Sequence, residues 1–121
     1  MTDQSTTILS QKLIKQVKDS PDSIDFDQVM SVINSEWNYT PTQFTNGDLV
    51  NEAGTNEGSC KIFAFAQIHS LNKVETLALF GTYYREDVLT NPDGNDHMNI
   101  RSFMSNGWDS ISFEKAPLKL K

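Results

Sequence analysis

The sequence is short of almost everything that announces a function. It holds one cysteine, Cys60. A lone thiol cannot close an intrachain disulfide, so no oxidising compartment is implied. Only two histidines are present, His69 and His97, far apart in the chain and without an HExxH pattern. That is no zinc signature. Asp93-Gly94-Asn95-Asp96 lacks the ligand alternation and closing Glu of a calcium loop. Walker, GxGxxG and GxSxG motifs are missing too. The expectation is no metal and no cofactor.

Long apolar runs are also missing. None approaches the ~20 residues of a membrane span. Met1-Thr2-Asp3-Gln4 opens without the basic and apolar regions of a cleavable signal, so the expected address is the cytoplasm. Basic charge is scarce: ten Lys and Arg face sixteen Asp and Glu, for a net charge of −6. Phosphate backbones and anionic lipids repel such a chain, so no nucleic-acid and no membrane partner is expected. The densest basic stretch, Lys115 to Lys121, reads as a solvated tail.

Large apolar side chains are present. Seven Phe, two Trp and three Tyr in 121 residues supply the core of a single domain spanning 1–121. Residues 1–5 read as frayed, and a monomer is the default. Ser5 or Thr6 can cap a first helix carrying Leu9, Leu13, Ile14 and Val17, ended by Ser20-Pro21-Asp22. Asp25 and Gln28 have the spacing of a capping box ahead of Phe26, Val29, Met30 and Ile33. Trp37 and Tyr39 are expected to fold back onto the core. Asn46-Gly47 between apolar residues predicts a hairpin with a type I′ turn.

The apolar run from Cys60 to Leu71 suits either a buried helix or a buried strand. Its length and alanines favour a helix capped by Asn56 or Ser59. Asn72 and Glu75 resemble a second capping box, opening a helical face that runs through residue 89. Asn91-Pro92-Asp93-Gly94 is a turn. Asp96 can cap a last helix that ends at Gly107. Ile111 and Phe113 alternate with Ser110 and Ser112 as a short strand. The expected fold is mainly α, about five helices, with a small β-hairpin and a short C-terminal strand in one compact domain.

Candidate chemistry rests on few residues. Cys60 follows a glycine-rich loop near a helix start, where the dipole favours thiolate, and His97 could serve as its base. The plainer and favoured reading is a small buried apolar residue. His97 and Arg101 stand four apart on a helix, beside Asp96 and Asn99. They could hold a carboxylate or phosphate with His97 as proton carrier. A capped helix start that ties down the preceding turn is again the plainer reading. Arg85, beside Tyr83, could line a pocket, although an Arg beside acids is more often a structural ion pair.

Four ordered strings, NEAGTNEGSCKIFAFA, ETLALFGTYYREDVL, NPDGNDHMNIR and GWDSISF, resemble the HopJ type III effector family over residues 25–118. The family pattern falls on Asn56, Gly58, Ser59, Cys60, Gly81, Tyr84, Arg85, Pro92, His97, Asn99, Ile100, Arg101, Gly107 and Trp108. Of these, Gly81 suits close helix packing, Gly107 a cap, and Trp108 the core. The resemblance implies a small bacterial domain with no agreed catalytic mechanism, and secretion by a type III system for a true effector. Three functions compete. One is a binding module that contacts a protein or small-molecule partner, its acidic surface suited to a basic one. The second is a small enzyme acting on a polar or acidic molecule through His97 with Arg101 or Cys60 with His97. The third is a bacterial housekeeping protein that is never exported. The expectation leans away from catalysis, with ligand contacts sought at Arg85, His97, Asn99, Arg101 and Asn56.

Overall fold

The computed structural model describes residues 7–121. The expectations for residues 1–5, and for a cap at Ser5 or Thr6, lie outside the described residues. The chain is mainly helical with two small antiparallel sheets. The helices are α1 (Ile8–Asp19), α2 (Phe26–Glu36), α3 (Glu57–Ile68), α4 (Lys73–Ala78) and α5 (Met98–Asn106). The strands are β1 (Trp37–Tyr39), β2 (Phe44–Asn46), β3 (Leu49–Asn51), β4 (Ile111–Phe113) and β5 (Leu118–Leu120).

Helix α3 is the centre. Cys60 and every residue from Ile62 to Ala66 are buried, the pattern of a helix covered all round. Phe63 meets Phe103 at 5.0 Å, Phe80 at 5.5 Å, Phe44 at 6.1 Å and Trp108 at 6.3 Å between ring centroids. One side chain thus touches elements from both halves of the chain. Truncating such a ring to Ala costs about 3–5 kcal/mol. Trp108 itself is only partly buried against this core, and its Nε1 donates to Leu71 O at 3.0 Å.

Both expected capping boxes form, at Asp25/Gln28 and Asn72/Glu75. The hairpin forms one residue later than expected. Asn46 pairs with Leu49, so the two-residue loop is Gly47-Asp48. Only Gly47 of the two has positive φ, at +62°, which is the II′ pattern rather than I′. The shift puts Asn46 in the strand, on the buried face with Phe44 and Asn51. Strand β4 pairs with the other edge of β2, giving the order β3-β2-β4.

Two further expectations are corrected. The helix expected to run through residue 89 stops at Ala78. Gly81, at φ +63°, turns the chain, and Tyr83–Val88 forms a π-helical segment. A Cβ on Gly81 would sit 2.8 Å from the backbone N of Phe26, so close approach of two backbones forces the break. The second correction concerns the basic end of the chain. Leu118–Leu120 forms β5 against β1, with Trp37 opposite Leu120, and Leu118 is buried. The lysines there alternate with leucines, a period that a tail reading overlooks.

Candidate functional site

A cleft of about 570 Å³ opens where the β2–β3 hairpin meets the starts of α3 and α5. Its wall includes Phe26, Leu49, Val50, Asn51, Asn56, Gly58, Ser59, Phe80, Tyr83, His97, Met98, Asn99 and Ile100. None of these is Asp, Glu, Lys or Arg, in a chain with sixteen acids. Polar character therefore comes from amides, hydroxyls and one imidazole.

The two helix starts share an unusual backbone. Asn56 precedes α3 at φ 50°, and His97 precedes α5 at φ 49°, both left-handed. A non-glycine residue held there costs on the order of 1–2 kcal/mol. Neither side chain caps its own helix. The first bonded amide of α3 is Cys60 N, to Asn56 O at 3.0 Å, and that of α5 is Ile100 N, to His97 O at 3.0 Å. The amides ahead of these are the orphan donors of a helix start. Gly58, Ser59, Met98 and Asn99 all lie in the cleft wall. Asp96, expected as the α5 cap, is displaced from that role by His97.

Side-chain amides, three of them buried, hold the floor. Asn51 Nδ2 donates to Asn99 Oδ1 at 3.1 Å and Asn99 Nδ2 returns a bond to Asn51 Oδ1 at 2.9 Å. Asn46 Nδ2 donates to Asn99 O at 2.8 Å and to Asn99 Oδ1 at 3.1 Å. Asn56 Nδ2 donates to Asn51 Oδ1 at 2.7 Å. This network fastens the hairpin to both helix starts. It leaves Asn46 Oδ1 buried with no partner among the described residues.

The opposite wall is aromatic. Tyr83 stacks on His97 with centroids 5.0 Å apart and planes at 29°, and Phe26 meets Tyr83 edge-on at 4.9 Å. Gly58 makes room for Phe26, since a Cβ there would lie 2.8 Å from the ring's Cζ. His97 Nε2 lies 3.0 Å from Asp87 Oδ2. A carboxylate only accepts, so Nε2 donates the hydrogen in this contact.

The candidate residues separate into two groups. Asn56, His97 and Asn99 meet in this cleft. Arg85 does not line it, and its Nη1 donates to Ile24 O at 2.9 Å. Arg101 holds the preceding loop instead. Its Nη1 donates to Asn91 O at 2.7 Å and its Nε to Asp96 O at 2.6 Å, and Nη2 pairs with Asp96 Oδ1 at 2.5 Å. That guanidinium, mostly buried, fixes the loop that delivers His97. Its hydrogen bond holds the Asp96 carboxyl below its ordinary value. Cys60 is 1% exposed and outside the cleft wall. Burial pushes its thiol up to about 11, the reverse of helix-dipole activation.

Sequence reading passed over Asn46, Asn51 and Asp87. The signal for the two amides was the alternation Phe44, Asn46, Leu49, Asn51 on one hairpin face. Among the described residues, no group of three or more His, Cys, Asp or Glu side chains is arranged to hold a metal ion. No helix there is long and apolar enough to cross a membrane.

Comparison with known proteins agrees with the four strings. No curated protein matches the chain. The crystal structure of a protein of unknown function, VPA0580, superposes with a TM-score of 0.90 at 49% identity, covering 92% of each chain. The model of the HopJ type III effector protein family matches residues 10–118, a span that takes in α2 through β4 and every residue of the cleft wall. The chain therefore belongs to the HopJ type III effector family.

Proposed function

We propose that this domain binds a small molecule that presents a carboxylate or phosphate to the cleft. One observation carries the reading. Two helix starts, both without a side-chain cap, converge on a wall that holds no carboxylate among the described residues. Orphan amides and the positive ends of two helix dipoles favour an anion there. Phe26, Leu49, Val50, Phe80, Met98 and Ile100 offer apolar surface to the rest of the ligand.

The test is a titration of small carboxylates and phosphates followed by amide NMR shifts. Gly58, Ser59, Met98 and Asn99 amides are expected to move together. A Val50→Asp variant places a carboxylate on an exposed wall residue. It is expected to weaken binding at least about tenfold, the effect of a like charge worth ~1.4 kcal/mol. Shifts scattered over the surface, or equal affinity in Val50→Asp, defeat the reading.

The family description supports a second, compatible reading, delivery of this domain by a type III secretion system. A reporter fused behind its first residues is expected to leave the bacterium by that route. A fusion retained in cells with an active apparatus removes the effector role.

A further inference from the structure

We infer that the cleft hydrolyses carboxylic esters of small molecules, with His97 as general base and Asp87 as its positioning residue. The inference rests on the cleft being a binding site. Four constraints converge on the His97 ring. Its Nε2–H is held by Asp87 at 3.0 Å. Its face is stacked on Tyr83 at 5.0 Å. Its backbone is left-handed at φ 49° and ψ 49°. The loop before it is pinned by the bonds of Arg101 to Asn91, Pro92 and Asp96.

A surface ion pair needs none of the last three. An exposed His–Asp contact is worth about 0–1 kcal/mol, which barely offsets the backbone strain. Constraint of this kind is what an acid–base group requires, because proton transfer fails when the ring is misplaced. Gly58, Ser59, Met98 and Asn99 line the same wall, and their amides are orphan donors at the two helix starts. They are donors suited to an oxygen that gains negative charge. The titratable neighbours of His97 are Asp87, Tyr83 and Asp96, whose Oδ2 lies 3.9 Å from Nε2.

The step balances with water as co-reactant. Nδ1 takes a proton from water as its oxygen bonds to the ester carbonyl carbon. The carbonyl oxygen becomes an oxyanion facing the helix amides. Collapse breaks the bond to the alkoxy oxygen, and Nδ1 returns the proton to that leaving group. Acid and alcohol depart, and Asp87 holds Nε2–H throughout.

The experiment uses the full chain and a panel of p-nitrophenyl esters of short and aromatic acids. The His97→Gln and Asp87→Asn variants are purified identically, and folding is checked by circular dichroism. Turnover above buffer is expected in the native chain, reduced at least 100-fold in His97→Gln. Asp87→Asn is expected to lower kcat about tenfold with KM unchanged and to displace the pH–rate profile, which a merely structural contact would not do. Binding of the product acids is measured in parallel by NMR. Equal turnover in the native chain and His97→Gln, or none across the panel, overturns hydrolysis. If the acids still bind, the cleft reading survives that result; if they do not, both fall. A covalent acyl group on Ser59 would overturn the role of water as nucleophile.

Discussion

Glu36, the last residue of α2, caps the start of α1 through Ser10. Its Oε1 accepts from Ser10 N at 2.8 Å and from Ser10 Oγ at 2.6 Å, while Oε2 accepts from Leu9 N at 2.7 Å. Trp37 Nε1 donates to the same Ser10 hydroxyl at 3.0 Å. A carboxylate placed at the positive end of a helix supplies charge-assisted bonds to two orphan amides. Glu36→Ala removes all three acceptor contacts at a buried position. Stability is expected to fall by about 2–4 kcal/mol, with Glu36→Gln losing less. Urea unfolding measures it; a change under about 0.5 kcal/mol would show that water replaces the cap.

Gly81 allows the backbone of the Ala78–Tyr83 turn to lie against Phe26. Gly81→Ala adds a methyl 2.8 Å from a backbone nitrogen, at φ +63°. Strain and clash together are expected to cost at least about 2 kcal/mol. Thermal unfolding measures this directly. Gly54→Ala is the control for left-handed strain alone, since φ is +87° there and, among the described residues, no atom would lie within 4 Å of the added methyl.

The Asn51–Asn99 pair joins the hairpin to α5. Asn99→Ala removes both bonds of the Asn51–Asn99 pair and one bond from Asn46, while Asn46 Nδ2 keeps Asn99 O and Asn51 Oδ1 keeps Asn56 Nδ2. A loss of about 1–3 kcal/mol is expected, the range for a buried polar group left without its partner. In a double-mutant cycle, Asn51→Ala and Asn99→Ala should couple by at least about 1 kcal/mol. Additive effects would mean that the amides act separately.

His69 sets an acid-side dependence. Its Nε2 is buried without a hydrogen-bond partner among the described residues, and the ring packs on Phe65 at 4.5 Å and Trp37 at 5.8 Å. Burial lowers its pKa from 6.5, partly opposed by Glu36. The unfolded chain therefore binds this proton more readily than the folded one. The contribution of the neutral ring is present above the unfolded value and is lost as pH falls below 6.5. His69→Phe is expected to flatten urea midpoints measured between about pH 7.5 and 5.5. An unchanged slope would place the dependence elsewhere. Glu75, held low by the Asn72 amide, and Asp96, held low by Arg101, lose their contributions only at more acid pH.

Cys60 should behave as core. With its thiol raised to about 11 by burial, little thiolate exists at pH 8. Alkylation by iodoacetamide is expected to be slower by on the order of 100-fold than in urea-unfolded chain. Equal rates in both states would reinstate an accessible thiol.

Much of this architecture was legible in neighbouring residues. Asp25 with Gln28 and Asn72 with Glu75 mark helix starts, because a cap joins positions three apart. The apolar stretch after Cys60 resolves as a helix rather than a strand, as its length and alanines suggested. Gly107 ends α5 where a left-handed cap was expected, but its φ of +67° comes with ψ −159°, an extended glycine conformation instead of the left-handed helical one. The four strings placed the chain in its family. These features depend on contacts within one or two turns, which local spacing encodes.

Tertiary structure decided the rest. The basic end of the chain becomes β5 only because β1 offers an edge. The helix beyond Ala78 breaks only because Phe26 presses on Gly81. His97, rather than Asp96, heads α5 because Arg101 ties the loop to Asp96 and Asp87 holds the imidazole. Asn46, Asn51, Asn56 and Asn99 read one by one as loop or cap residues. Asn51, Asn56 and Asn99 come to line a cleft, with Asn46 buried behind them, when the hairpin closes on two helix starts. Such closures join residues far apart in the chain, and their energy comes from burial and from satisfying polar groups that local periodicity cannot see.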